Sequence, residues 1–244
     1  MTPRITGAVA LRVLAQLRRD PRTVVLLLGV PCLLVALLHE LFRDQLQTFQ
    51  RIGGPLLGLF PFVSMFLVTS ITMLRERVSG TLERLLTTPL GRLDLLVGYG
   101  LAFGSLAAVQ ASLVSVLAFE GLGLDVAGPP AAIVALAIGN AILGMSLGLF
   151  VSAFAQSEFQ AVQFMPALVF PQMLLCGLFV PRDRMATWLH WVSDALPLTY
   201  AYDALARAVD DAFGGRFVAD VAVTVGATLL ALALGAATLR RRTA

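Results

Sequence analysis

Lysine is absent, and all 18 basic residues of the 244-residue chain are arginines. A phosphate-gripping loop of the G-x-x-x-x-G-K-[ST] type needs its lysine, so this chain cannot hydrolyse ATP by that route. Histidine is scarce too: neither His39 nor His190 has a second histidine or cysteine three or four residues on, which argues against a zinc site. Cysteine is limited to Cys32 and Cys176, both inside apolar runs where a thiol packs as a small hydrophobe. No redox or metal chemistry is indicated. Charge itself is sparse, at 14% of residues against 58% hydrophobic. With a mean hydropathy of +0.84, this composition lies outside the soluble range and places the chain in a bilayer.

Crossing about 30 Å of hydrocarbon takes roughly 20 mostly apolar helical residues. Six stretches qualify, at about 23–39, 55–74, 93–119, 131–155, 160–180 and 218–239. Pro31 is expected to kink the first, and Pro166 and Pro171 to break or bend the fifth. The arginine-rich start followed by "TVVLLLGVPCLLVALL" has the outline of a signal peptide, but Pro31 precedes the cysteine and no A-x-A site closes the run, so an uncleaved first span is expected. Arginine marks the side that stays inside. Twelve arginines fall on one side (Arg4 to Arg22, Arg75, Arg77, Arg84, Arg92 and the Arg240–Arg242 tail) and six on the other, diluted by acids. Both termini are therefore expected in the cytoplasm.

Two segments have the pattern of helices lying along the membrane. In residues 1–22 the arginines share one side while Ile5, Val9, Val13, Leu14 and Leu17 share the other, with Leu11 out of place. On the outer side, over 181–213, Met185, Trp188, Leu189, Val192 and Leu196 follow helical spacing up to Pro197, and a second amphipathic helix begins near Thr199. Trp188, Trp191, Tyr200 and Tyr202 suit the headgroup level; a soluble outer cap is the alternative.

The stretch "MLRERVSGTLERLLTTPLG", residues 73–91, carries three arginines and two glutamates between two apolar runs. At about 2.5 to 3.5 kcal/mol per charge at bilayer depth it is expected as a cytoplasmic loop, yet its spacing is helical. Val78, Leu82, Leu85 and Leu86 form an apolar face; Arg77, Thr81, Arg84 and Thr88 a second face; Glu76, Gly80, Glu83 and Thr87 a third; Pro89 stops it. Such a helix either docks a partner or is an ordinary positive inner loop.

Residues 74–98, "LRERVSGTLERLLTTPLGRLDLLVG", resemble the signature that follows the second span of ABC-2 type permeases, approximately R-E-R-x-x-G-T-L-E-x-L-L-x-T-P-L. Residues 174–209, "LLCGLFVPRDRMATWLHWVSDALPLTYAYDALARAV", resemble the family's end of span five and outer re-entrant helices. The resemblance implies an all-α membrane protein, with residues 1–244 as one ABC-2 transmembrane domain of six spans. It has an N-terminal interfacial helix (1–22), a coupling helix (75–89) between spans two and three, and outer re-entrant helices (181–213) before span six.

It further implies that the chain binds no cofactor itself, since ATP and magnesium sit on a separate ATPase subunit. Two ATPases pair with two permeases, identical or related, in a bacterial inner membrane; lipids are the other contact, and nucleic acid is none. The implied ATPase-coupling residues are Arg75, Glu76, Arg77, Gly80, Thr81, Leu82, Glu83, Arg84, Leu85, Leu86 and Pro89. Arg77, Glu83 and Arg84 are expected to touch the partner, Leu82, Leu85 and Leu86 to seat the helix, and Gly80 to permit close backbone approach.

No Asp, Glu, Arg or His stands away from a span edge, which favours an external energy source over an ion-coupled carrier. A membrane-embedded enzyme lacks a nucleophile and base. The candidate path residues are Phe62, Phe66, Thr69, Gln163, Phe164, Phe170 and Gln172, which line a route for a hydrophobic or amphiphilic cargo or serve packing alone. A drug, antibiotic or lipid-like cargo is expected first and a lipid-linked polysaccharide second. Gln156, Gln160 and Gln163 recur as a stripe at the mouth of span five, and Gly100/Gly104 and Gly144/Gly148 form G-x-x-x-G pairs that let helices approach closely.

Overall fold

The computed structural model describes residues 3–81 and 92–238, and every regular element among them is helical. In order these are α1 (Pro3–Arg18), α2 (Pro21–Leu41), α3 (Leu46–Val78), α4 (Arg92–Val116, continued by a π turn over Leu117–Gly121) and α5 (Pro130–Val151). Then follow α6 (Glu158–Phe164), a π turn (Met165–Val169), α7 (Phe170–Leu175), a 3-10 turn (Arg182–Arg184), α8 (Thr187–Asp194), α9 (Pro197–Val209) and α10 (Gly215–Thr238). Among the described residues five helices are long and apolar enough to cross a membrane: Pro21–Leu41, Leu46–Val78, Val97–Gly121, Pro130–Val151 and Gly215–Thr238.

Local chemistry sets the helix boundaries. Asp20 caps α2 by accepting hydrogen bonds from the Thr23 N–H (3.2 Å) and hydroxyl (2.6 Å), with Pro21 in the first turn, where its missing N–H costs nothing. Pro31 lies inside α2 without ending it, although it removes the donor that the Leu27 carbonyl would have used. Gln110 of α4 supplies that donor, its Nε2 reaching the Leu27 oxygen at 2.6 Å in the buried interior. The mid-span glutamine is thus a repair for a proline on another helix. α3 runs for 33 residues, about 50 Å at 1.5 Å per residue, so it projects beyond a hydrocarbon layer of about 30 Å.

Over the fifth apolar stretch the chain is divided. α6 ends just before Pro166, the π turn follows, and α7 ends at Leu175, so no single helix covers 160–180. The carbonyl of Val162, which loses its ordinary donor at Pro166, accepts the Met165 N–H instead. At the start of α6, Ser157 accepts the Gln160 N–H (3.2 Å) and the Gln160 Oε1 accepts the Gln156 N–H (2.8 Å). Of the three glutamines in the stripe, Gln160 therefore spends its side chain on the start of a helix.

α3 and α5 form the centre. Their backbones meet at Gly144 and Gly148, where an added methyl would sit 2.2 Å from the Phe62 carbonyl oxygen and 2.4 Å from that of Phe66. The other G-x-x-x-G pair behaves differently: Gly100 and Gly104 have nothing within 4 Å of such a methyl among the described residues, so they make no close helix contact there. α1 is more than a surface float, because Val9, Ala10, Val13 and Leu17 are buried with Leu95, Tyr99 and Phe103 of α4. Leu11, out of place in the pattern, is exposed.

Candidate functional site

One end of the bundle, here called the α1 end, gathers α1, the last turn of α3, the start of α4, the start of α6 and the end of α10. The charged stretch begins there as part of α3: Arg75, Glu76, Arg77 and Val78 continue the helix, and Ser79 caps it. The helix expected over 75–89 is divided at this point, because Gly80 adopts φ +68° before Thr81 resumes helical geometry. Gly80 has the left-handed backbone that favours glycine, and among the described residues nothing lies within 4 Å of where a methyl would sit. Leu82, Glu83, Arg84, Leu85, Leu86 and Pro89 lie outside the described residues.

Glu76 does not face outward with the expected polar stripe. It is buried, and the Arg12 Nη2 donates to both of its oxygens at 2.9 and 3.0 Å while also reaching the Tyr99 hydroxyl at 2.7 Å. α1, α3 and α4 are thereby joined through one guanidinium. Tyr99 stacks on Phe103 at 6.1 Å between ring centres, which fixes the orientation of its hydroxyl. Nearby, the Thr6 hydroxyl donates to Asp94 at 3.1 Å. Arg12, grouped by periodicity with the surface arginines of α1, points inward instead.

Arg75 makes a second bridge, its Nε and Nη2 donating to the two oxygens of Glu158 at 2.8 and 3.0 Å. This links α3 to α6, and the Arg75 guanidinium holds the Glu158 carboxyl below its usual range. Arg77 is half-buried, with its Nη2 at 3.4 Å from the Thr238 hydroxyl of α10. Of the three arginines of the signature, one ties α3 to α6, one lies against α10, and Arg84 is outside the described residues.

The path candidates fall on α3 and on the broken α6–α7 segment. Phe62 and Phe66 are fully buried and share a cluster with the half-buried Phe164, and Thr69 is buried alongside them on α3. Gln172 is buried but engaged, donating to the Leu168 carbonyl at 3.0 Å and accepting the Leu198 N–H at 3.4 Å. Gln163 and Phe170 lie on the outward face of the broken segment.

At the opposite end, Arg182 is shared by two carboxylates. Its Nη1 donates to Asp203 at 3.0 Å, and its Nη2 to Asp194. Burial pushes Asp203 above the ordinary carboxylate range, and the Arg182 charge opposes that shift. The Ser193 hydroxyl donates to the Leu175 carbonyl at 2.8 Å and the Tyr200 hydroxyl to the Asp194 carbonyl at 2.8 Å, so α8 and α9 are fastened to the end of α7. Trp188 and Trp191 remain exposed. Arg207 of α9 donates to Asp220 of α10 at 2.8 Å.

Sequence reasoning missed the Arg12–Glu76–Tyr99 and Arg75–Glu158 contacts, for which no local signal exists. It also left Asp20 unused, although an Asp before Pro is a legible helix start.

The profile of the ABC-2 type transporter family matches residues 6–209. ABC transporter G family member 20 of Dictyostelium discoideum is 29% identical over 147 residues, covering 60% of this chain and 20% of that protein. The probable multidrug ABC transporter permease YbhR of Escherichia coli strain K12 is 27% identical over 151 residues, 61% of this chain and 40% of the relative. Linearmycin resistance permease protein LnrN of Bacillus subtilis strain 168 is 26% identical over 169 residues, 66% of this chain and 44% of the relative. The chain thus spans less than half the length of these three relatives.

Proposed function

Because the chain belongs to the ABC-2 type transporter family, we propose that it is the membrane-spanning permease of an ATP-driven exporter that moves a hydrophobic or amphiphilic compound out of the cell. A drug, antibiotic or lipid-like cargo fits best, in keeping with the multidrug and linearmycin-resistance relatives and with the aromatic residues of α3 and α6–α7. In this reading residues 1–244 are one transmembrane domain of six spans, the fifth being the broken α6–α7 segment. The α1 end faces the cytoplasm of a bacterium, where the arginines concentrate, and α8 and α9 face outward at the headgroup level.

The observation that carries the proposal is how α3 ends. The R-E-R-x-x-G-T-L-E stretch starts as the last turn of a 33-residue helix, and Glu76 within it is clasped by Arg12 to α1 and α4. A rigid helix held at that point can carry a displacement applied to residues 82–89 into the centre of the bundle. ATP and magnesium are bound by partner ATPase subunits, two in a complex with two permeases. Arg84 and Glu83 make the polar contacts with the ATPase, while Arg75, Glu76 and Arg77 hold the stretch to the bundle. Phe62, Phe66 and Thr69 belong to a wall that moves with α3, and Gln163 and Phe170 face the path or the second permease.

Co-expression with an ABC ATPase, expected from the neighbouring reading frame, tests the reading. Arg84→Glu is expected to abolish co-purification of the ATPase and ATP-dependent efflux while the permease still folds. Full co-purification and efflux by the variant would overturn the coupling role.

A further inference from the structure

A cavity of about 410 Å3 opens at the α1 end between α1, the start of α2 and the last turns of α3. That volume is in the range of sites for compact organic ligands, about 300 to 1,000 Å3. None of the expected path residues lines it. Val13 and Leu17 of α1 and Val68 and Ile71 of α3 supply an apolar wall, and Asp20 and Arg75 line the cavity nearer the helix ends. Val68 and Arg75 are separated by about 10 Å along α3 at 1.5 Å per residue. The lining therefore changes from apolar to charged over the length of a small amphiphile.

The charges decide which head group fits. Arg75 is held by both oxygens of Glu158, and Glu76, which also lines the cavity, is held by Arg12. Asp20 accepts one hydrogen bond on each oxygen from Thr23 and, among the described residues, forms no ion pair. A carboxylate offers about four lone-pair sites, so about half of its capacity remains. The Thr23 hydroxyl and N–H, with a smaller contribution from the Arg75 charge beyond ion-pair distance, keep Asp20 below the usual carboxylate range, hence ionised at neutral pH. A phospholipid would bring its phosphate among carboxylates where, among the described residues, the one lining guanidinium is already engaged.

We propose that this cavity is a receiving site for compact cationic amphiphiles, with Asp20 as partner of the cationic head and the Val13/Leu17/Val68/Ile71 wall as partner of the apolar body. Its place at the inner leaflet, before export, rests on the exporter reading; the binding itself does not. The site is separate from the path expected between α3 and α6–α7, and it makes charge sign the first criterion of selection.

The test measures binding to the full chain in phosphatidylcholine nanodiscs, corrected for partition into empty discs. The probes are tetraphenylphosphonium and tetraphenylborate, equal in shape and opposite in charge. The protein is expected to bind the cation at least about tenfold more tightly than the anion, as one neighbouring charge in a partly hydrated site permits. Asp20→Asn keeps a residue that caps helices equally well, and should erase that difference. Thr72→Trp, which fills the cavity from α3, should abolish cation binding. Unchanged cation binding in both variants would place any site elsewhere, and displacement of the probe by phosphatidylethanolamine would assign the cavity to a resident lipid; either result overturns the proposal. Intact, Asp20-dependent binding without ATP-driven export of the probe would instead count against the exporter reading alone.

Discussion

Removing the Arg12 guanidinium should be among the most damaging single changes at the α1 end, and its cost can be worked from the geometry. The Glu76 side chain is 7% exposed and that of Arg12 28% exposed, with Nη2 at 2.9 Å from the nearer carboxylate oxygen. Taking away one partner of a buried pair leaves the other charged and uncompensated, which costs about 3 to 5 kcal/mol. The partial exposure of Arg12 puts Arg12→Ala near the lower end, about 3 kcal/mol. Part of that is the Tyr99 hydroxyl, which also loses its partner. Glu76→Gln keeps an acceptor for Arg12 and loses only the charge-assisted share, about 1 to 2 kcal/mol. The double variant Arg12→Ala/Glu76→Ala should therefore be milder than the sum of its singles by about 2 kcal/mol. Reversible unfolding of the full chain in mixed micelles, followed by far-ultraviolet circular dichroism, measures all four corners of the cycle. Additivity within about 0.5 kcal/mol would show that the clasp carries no coupling between α1 and α3, and the account of how α3 is held would fall with it.

Gly144→Ala should destabilise the fold by about 1 to 3 kcal/mol through overpacking, because its methyl meets the Phe62 carbonyl oxygen at 2.2 Å. Gly100→Ala, inside α4 with open space around it among the described residues, should cost nothing and gain up to about 1 kcal/mol of helix propensity; equal losses in thermal melts would show that the two pairs were wrongly distinguished. Gln110→Leu should cost about 1 to 3 kcal/mol by orphaning the Leu27 carbonyl, and Pro31→Ala in the same chain should restore most of it by returning the backbone donor; a double variant no better than the single would contradict the repair. For Arg75–Glu158 the folded carboxyl lies below its ordinary value, so the stabilisation is present above about pH 4.3 and is lost as pH falls through the lowered value. Both side chains are more than half exposed, so Glu158→Gln should cost no more than about 1 kcal/mol at pH 7, and the gap from the unaltered protein should close in acid and in high salt. A gap that persists below pH 3 would mean that the charge is not what links α3 to α6.

Much of the architecture is readable because its causes are local. Runs of apolar residues at helical length mark α2, α4, α5 and α10 within a few residues of their observed limits, whereas α3 begins nine residues before the apolar run read at 55–74. Pro166 and Pro171 announce the break in the fifth stretch, since a missing N–H acts within one turn of the proline. The R-E-R-x-x-G-T-L-E stretch pointed to the family, and the family profile covers it. What periodicity could not do was say which side a polar residue serves. Glu76 and Arg12 both sit on stripes that read as surface, and both turn into the interior because one side of α1 is docked on α4. Gln160 reads as part of a stripe at the mouth of span five, and its side chain closes the start of a helix.

The sequence by itself determined that this chain is a set of apolar helices with a charged segment following its second long apolar run. Hydrophobic run length, proline and capping residues act over a handful of positions and need no knowledge of neighbours. Only the tertiary structure decided that Arg12 reaches Glu76 across 64 positions and Gln110 reaches Leu27 across 83. It likewise decided that Gly144 and Gly148, and not Gly100 and Gly104, close a helix pair. Such pairings depend on which helices become neighbours and how they are rotated, and that is set by the packing of the whole bundle.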